Sequence, residues 1–507
     1  MRYYLSILIV ITLVVISSCR KDFTAELSTG NLIFSKDTVY LDTVFTNIGS
    51  STYNLKVYNK TNNTISIPSI KLGRGENSSY RLNVDGIAGK LFEDVEILAK
   101  DSMYVFIETT INYDQITDPI YIDSIVFNNG EKLQNVKLIT LVKDAHFLYP
   151  AKNSEGLVET ITTGLNTDGE EIKINGFYLN NNTTFTNDKP YVIYGYCAVP
   201  EDKTLTIEAG TNIHFHSNSG IIVNKGASLI VEGELNNQVI FEGDRLEPQF
   251  SNIPGQWGTI WLRAGSKNNS INNTIIKNAS VGIIMDSIGN NSTPTLSLKN
   301  TQIYNSSNFG ILGRETNIKG ENLVINNSGQ ASLACTIGGT YNFTHSTFAN
   351  FWNGSLRQYP SVLINNYFTY SNGNEQIVKT RDLNAASFTN CIIDGNSNIE
   401  LVIDKVEGST FNYSFKNNLI KFNDSNESYK DIGTYNFEDT NYYMDNILNG
   451  DSEFKSPSTN ELIIGENSEA NLKANIQGTS LVPNDILGTL RSSPADIGAY
   501  QHIIFEN

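Results

Sequence analysis

Few side chains in this 507-residue sequence have a type and spacing that could do chemistry. The densest group is "VKTRDL" (378–383), which places Lys379, Arg381 and Asp382 within four positions. Eliminating a uronate needs a base for the proton beside the carboxylate and a cation to neutralise that carboxylate. Lys379 and Arg381, with His345 and Arg357 as outlying partners, are therefore the set a polysaccharide lyase could use. The competing reading, a solvated loop between strands, is the one adopted, and no catalytic residue is assigned. An inverting hydrolase needs two carboxylates flanking the scissile bond. Asp244, Asp286, Asp382, Asp394 and Asp404 do not recur in one register. His214 and His216 share one face of a strand and could hold a metal with a third ligand. Ile213 and Phe215 alternate with them and claim the core, which turns both histidines outward as ordinary polar residues. No metal and no cofactor is assigned. Trp257, Trp261 and Trp352 are expected to pack rather than to present flat faces to sugars.

These groups must be positioned by an acidic chain, with 53 acids against 36 bases and a formal charge of −17. Such a surface cannot neutralise phosphates, so nucleic acid is excluded as a partner. Cys197, Cys335 and Cys391 show no CxxC spacing and read as buried free thiols. At the N-terminus a short basic start precedes an apolar run, Tyr3 to Ile16, which ends in Ile16-Ser17-Ser18-Cys19. The run is too short to span a bilayer and has the proportions of a signal peptide core. Its ending resembles the lipobox of bacterial lipoproteins. That resemblance implies removal of residues 1–18 and lipid attachment at Cys19, with acyl chains enough for stable anchoring. Arg20 and Lys21, rather than Asp, follow the cysteine, so the resemblance favours a Gram-negative outer membrane, on either its periplasmic or its exposed face.

After a lipidated tether (19–30), residues 31–143 read as short strands separated by polar turns: "TVYLDTVF", "YNLKVYN", "TISIPSIKL", "YRLNV", "MYVFIETTI", "DSIVF" and "VKLITLV". Alternation of apolar and polar residues gives each strand one buried face, and seven such strands predict a β-sandwich. With "DTVFTNIGS" (42–50) the segment resembles the immunoglobulin-like modules of bacterial surface lipoproteins. Residues 144–189 lack a sustained period and are expected to form a linker and an entry cap for the domain C-terminal to them.

From 190 to 507 one pattern recurs. Aligned on a single position, anchors fall at Asn273, Asn300, Asn322, His345, Asn365, Asn390 and Asn417, in steps of 20 to 27 residues. Two positions earlier stand Ile271, Leu298, Gly320, Phe343, Leu363, Phe388 and Phe415. Three positions later stand Ile276, Ile303, Ile325, Phe348, Phe368, Ile393 and Ile420. Further on comes a second apolar cluster, "GII" (282–284), "GIL" (310–312), "SLA" (332–334), "SLR" (355–357) and "ELV" (400–402). A repeat of this length without helical periodicity predicts a parallel β-helix solenoid. Asparagine tolerates the left-handed backbone that a sharp corner demands, and His345 is read as its substitute in the ladder. "TLTIEAGTNIHFH" (204–216), "GIIVNKGASLIVEGELNNQVIFEGDR" (220–245) and "GQWGTIWL" (255–262) resemble the opening coils of bacterial right-handed parallel β-helix proteins. "NDILGTLR" (484–491) and "PADIGAY" (494–500) resemble their closing cap. The expectation is an all-β, outer-membrane-anchored lipoprotein whose β-helix is a non-catalytic structural or ligand-binding surface. Its partners would be the membrane through Cys19, and a neutral glycan or another surface protein. The alternative is a carbohydrate-active enzyme of the polysaccharide lyase type.

Overall fold

The computed structural model describes residues 25–29, 31–166, 168–287, 294–373 and 375–506. The leader, Cys19 and most of the tether lie outside the described residues. Contacts divide the chain into two compact units at Asp144/Ala145.

The first unit is built from a six-stranded and a five-stranded sheet. All seven expected strands are present, from Thr38–Phe45 to Leu133–Lys143. A further strand, Leu91–Ile97, escaped the sequence reading because "LFEDVEI" carries charge at its centre; it pairs with Ile65–Leu72 at the sheet edge. Alternation sends Leu55, Val57, Val105 and Ile107 of one sheet, and Ile67, Phe127, Val136 and Leu138 of the other, into a common core, each 0% exposed.

The second unit is a parallel β-helix with three faces. One runs from His146–Leu148 through Tyr191–Ile193, Asn212–Phe215 and Val239–Gly243 to Ile447–Leu448; we call it face A. Face B runs from Glu171–Tyr178 through Tyr196–Val199, Gly220–Val223 and Ile260–Leu262 to Leu401–Asp404. Face C runs from Thr183–Phe185 through Thr204–Glu208 and Ser228–Glu232 to Tyr443–Met444. Parallel pairing thus begins at His146, so the segment read as a linker already supplies strands to all three faces. Its few apolar residues hid that role.

The repeat is a vertical stack. Ile271, Leu298, Gly320, Phe343, Phe388 and Phe415 lie opposite one another in consecutive coils. Ile276, Ile303, Ile325, Phe348, Ile393 and Ile420 form a second column. A Cβ on Gly320 would lie 2.6 Å from the Phe343 ring, so the missing side chain is what admits the larger one above it. Between the columns Asn273, Asn300, Asn322, His345, Asn390 and Asn417 all hold positive φ. Asn322 Nδ2 donates to Asn300 Oδ1 at 2.9 Å, and Asn390 Nδ2 lies 2.9 Å from His345 Nε2. Five residues on, a ladder that the sequence reading missed stacks Asn278, Asn305 and Asn327 at the next corner.

Asn365 does not belong to the column. Thr344 pairs with Thr389, which puts His345 directly below Asn390; Asn365 ends the face B strand Val362–Asn365 and pairs with Asp404. One coil carries an inserted hairpin, Tyr367–Asn372 with Glu375–Thr380, whose length mimicked an extra repeat. Phe368 therefore lies in the hairpin, and "SLR" lies in a loop where Leu356 is 95% exposed.

The closing elements also differ from expectation. The far end is covered by residues 424–442, where Tyr429, Tyr435 and Phe437 pack around Phe422, and Tyr435 Oη donates to Ile403 O at 3.1 Å. The tail beyond Gly450 turns back along the flank. Leu462, Ile464, Ala470, Ile486, Ile497 and Ala499 cover Val324, Ala349, Ile392 and Leu419, the apolar residues that face A points away from the core.

Phe388 stacks on Phe415 at 5.0 Å and touches Phe343 and Phe348. Phe388→Ala should cost about 3–5 kcal/mol. Hydrogen exchange should show protection lost first in the two adjoining coils; uniform loss along the unit contradicts a core made of nearest-neighbour contacts.

Candidate functional site

The corner between faces A and B is open along the first coils. Four successive turns supply its floor: Tyr194–Tyr196, His216–Asn218, Gly258–Thr259 and Ser280–Val281. Its wall comes from Tyr149–Lys152, Val158 and Lys173–Asn175. The antiparallel hairpin Thr160–Leu165/Glu171–Tyr178 lies across the outer side of face B. Ile161 packs there on Ala198 and Ile222, and Arg263 donates to Thr162 O and Thr163 O at 3.2 and 3.0 Å. The result is a groove of about 1260 Å³. Pockets for one drug-sized ligand run to ~300–1,000 Å³, so this space is larger than such a pocket.

Glycines shape the floor. A Cβ on Gly258 would stand 2.1 Å from Tyr196 Oη, and one on Gly220 would stand 2.7 Å from Tyr196 Cε1. The ring can therefore lie across two coils. Beside it, the Tyr194 ring stacks on His216 with centroids 4.5 Å apart. Asp244, directly after the strand Val239–Gly243 of the next coil, holds His216 Nδ1 at 2.7 Å. This hydrogen bond to Asp244 raises the His216 pKa, and burial with the Asp244 charge pushes the Tyr194 phenol up to about 12. No carboxylate is among the described lining residues. The wall cations are Lys152 and Lys173, the latter paired with Glu171 at 2.7 Å. Sequence reasoning missed this site because its wall falls in the aperiodic 144–189 stretch. The recurrent glycine opening "GII" (220, 282), "GTI" (258) and "GIL" (310) was the available signal.

The lyase set does not converge. Lys379 is exposed on the inserted hairpin. Arg381 pairs with Glu315 at 3.3 Å and lies over Phe368, while Asp382 accepts from Thr410 N. Arg357 is a structural clamp: its side chain is 3% exposed and grips the fully buried Glu400 through Nη1 and Nη2 at 2.7 and 2.6 Å. Burial raises the Glu400 pKa, while Arg357 and the Ser361 and Ser397 amides oppose that rise. His345 is 0% exposed beneath the returning tail, 3.2 Å from Gly498 O and 3.1 Å from Thr479 Oγ1. Burial lowers its pKa, which keeps it neutral in the ladder. His214 points off the core as expected but is only 4% exposed, against Gly243 O and Glu242. Among the described residues no group of three potential ligands could hold a metal. Trp257 is buried on Phe215, Trp261 is half-buried with Nε1 donating to Asp286, and Trp352 is half-buried in a loop. The three cysteines are free and buried.

A family described as a pectate-lyase-like beta helix domain matches residues 176–291. No curated protein matches the chain. Among solved structures the chain is similar to the catalytic unit of a thermostable GH87 alpha-1,3-glucanase from Streptomyces thermodiastaticus strain HF3-3. Identity is 10% and the TM-score 0.22, over 72% of this chain and 60% of that one. It is also similar to a family 123 glycoside hydrolase from Clostridium perfringens, at 9% identity and TM-score 0.16, over 23% and 30% of the two chains. The chain spans less than two thirds of either structure, and neither similarity is close enough to carry an argument. The family match covers the whole groove floor.

Removing Arg357 leaves a buried carboxylate unpaired, so Arg357→Ala should destabilise the second unit by about 3–5 kcal/mol, read by denaturant unfolding. For His216, the NMR titration midpoint should lie above the ordinary value of about 6.5 and fall back in Asp244→Asn. Because the folded pKa is the raised one, this pair's contribution to stability is complete below the unfolded pKa. It disappears as pH rises through the folded pKa. A midpoint unmoved by Asp244→Asn contradicts the pairing.

Proposed function

We propose that this protein is an outer-membrane lipoprotein, anchored through Cys19 and spaced from the bilayer by an immunoglobulin-like module, whose β-helix binds an extended neutral glycan without cleaving it. The observation that carries the reading is the groove: four coils deep in register, floored by Tyr194 and Tyr196, and with no carboxylate among its described lining residues. Tyrosine offers a sugar both an apolar ring and a hydroxyl, and Asn175, Ser217, Asn218 and Ser280 add hydrogen-bonding groups along its length. The pectate-lyase-like family match over the same strands supports a carbohydrate ligand. The chain's charge of −17 opposes anionic polymers.

One arrangement favours the alternative, a lyase acting on an acidic glycan: His216 fixed by Asp244 beside Tyr194, with Lys152 and Lys173 on the wall. The full chain should be screened against immobilised neutral and uronate-containing glycans, with parallel assays for unsaturated uronate and new reducing ends. Binding to neutral glycans without product, weakened about tenfold (~1.4 kcal/mol) by Tyr194→Ala, supports the proposal. Unsaturated product lost in His216→Ala transfers the case to the lyase. Absence of both binding and product overturns the carbohydrate reading.

A further inference from the structure

The first unit carries a surface that the glycan reading does not use. Glu26–Leu27 pairs in parallel with Ile65–Ser66, so the chain enters this unit at the end where strand Ile65–Leu72 begins. The loops 59–64 and 98–101 lie at that same end. Asn59, 1% exposed, clamps them together: its Nδ2 donates to Asn63 O, Ile97 O and Leu98 O at 2.8, 3.0 and 2.9 Å. Lys100 Nζ donates to Lys60 O across the pair at 2.7 Å. Lys60 Nζ lies 4.7 Å from the Tyr58 ring, and Lys56 Nζ lies 5.0 Å from the Tyr104 ring. Tyr104 and Leu98 are 47% and 48% exposed.

Among the described residues the partners of these three lysines are a backbone carbonyl and tyrosine rings rather than carboxylates. The acids at this end are Glu26, which accepts from Asn63, Asp101, which accepts from Ser102 N, and the exposed Glu96 opposite Ser66. Lys60 and Lys100 lie on the clamped loops and Lys56 on the strand that leads into them, beside the exposed Tyr104 ring and the half-buried Tyr58 ring.

We propose that this end of the first unit is a membrane-contact surface for anionic lipid headgroups, with Lys56, Lys60 and Lys100 as the cationic points and Tyr58, Tyr104 and Leu98 at the interface. The proposal rests on the reading that Cys19 is acylated. Ala25 follows Cys19 by six residues, which extended span at most about 20–22 Å. The bilayer surface is therefore always within that distance of Ala25, at the end of the unit that carries the lysines. Lysine attracts anionic lipid over roughly a Debye length, and tyrosine favours the headgroup level.

The test uses the full chain with Cys19→Ala, floated with phosphatidylcholine vesicles with and without phosphatidylglycerol. Binding should require phosphatidylglycerol, weaken with salt, and fall by at least ~10-fold in Lys56→Gln/Lys60→Gln/Lys100→Gln, with thermal unfolding unchanged. Equal binding to both vesicles, no binding, or an undiminished triple variant overturns the surface. Fatty-acid labelling of the unsubstituted chain reports on the anchor independently: absence of label removes the anchor and the tether argument, whatever the vesicles show.

Discussion

From Asn273 to Asn417 each coil of the second unit turns from face C to face A through a residue held at positive φ, and the rest of the structure depends on that corner. Six such residues, Asn273, Asn300, Asn322, His345, Asn390 and Asn417, stand one above another. For most L-residues the left-handed region is costly; asparagine enters it at little cost because its side chain bonds locally. Once the corner is fixed, the strands on either side keep register. The two columns from Ile271 to Phe415 and from Ile276 to Ile420 then stack as like on like. A slip of one residue would exchange core and solvent faces along both strands.

A stack of this kind has two exposed liabilities, its ends and its outward-facing apolar residues. The chain deals with them by separate means. Residues 424–442 close the far end with an aromatic cluster around Phe422. The tail then runs back over face A, where it shields Ile392 and Leu419 and seals the Asn/His ladder. Arg491 donates to Asn322 Oδ1 and to Gly498 O and Ala499 O, so the strap is joined to the ladder by hydrogen bonds as well as by apolar contact. Its burial lowers the Arg491 pKa to about 10.

The groove arises from the same regularity. A corner repeated through four coils makes a linear track, and glycine at the opening of successive face B strands leaves room for Tyr196 to lie along it. Some charges elsewhere on the solenoid are spent on each other, as in Arg357 with Glu400 and Arg314 with Asp286. A lone cluster such as "VKTRDL" therefore says less about chemistry than the geometry of a corner does.

The periodic part of the fold was legible in the sequence because a solenoid writes its registers locally: a corner asparagine, an apolar residue two before it and another three after it. The strands of the first unit were legible for the same reason, through alternation. The sequence by itself also determined that the chain is acidic, all-β and poor in paired carboxylates. Tertiary structure alone decided the rest, because it depends on which residues meet across long separations. Asn365 looked like an anchor until pairing showed a hairpin inserted in its coil. The tail looked like a terminal cap until its contacts with Thr347 and Asn390 placed it along the flank. The groove draws its wall from residues 149–175 and its floor from four coils between 194 and 284. No local pattern links those segments, since only the closed turns of the helix bring them to one side.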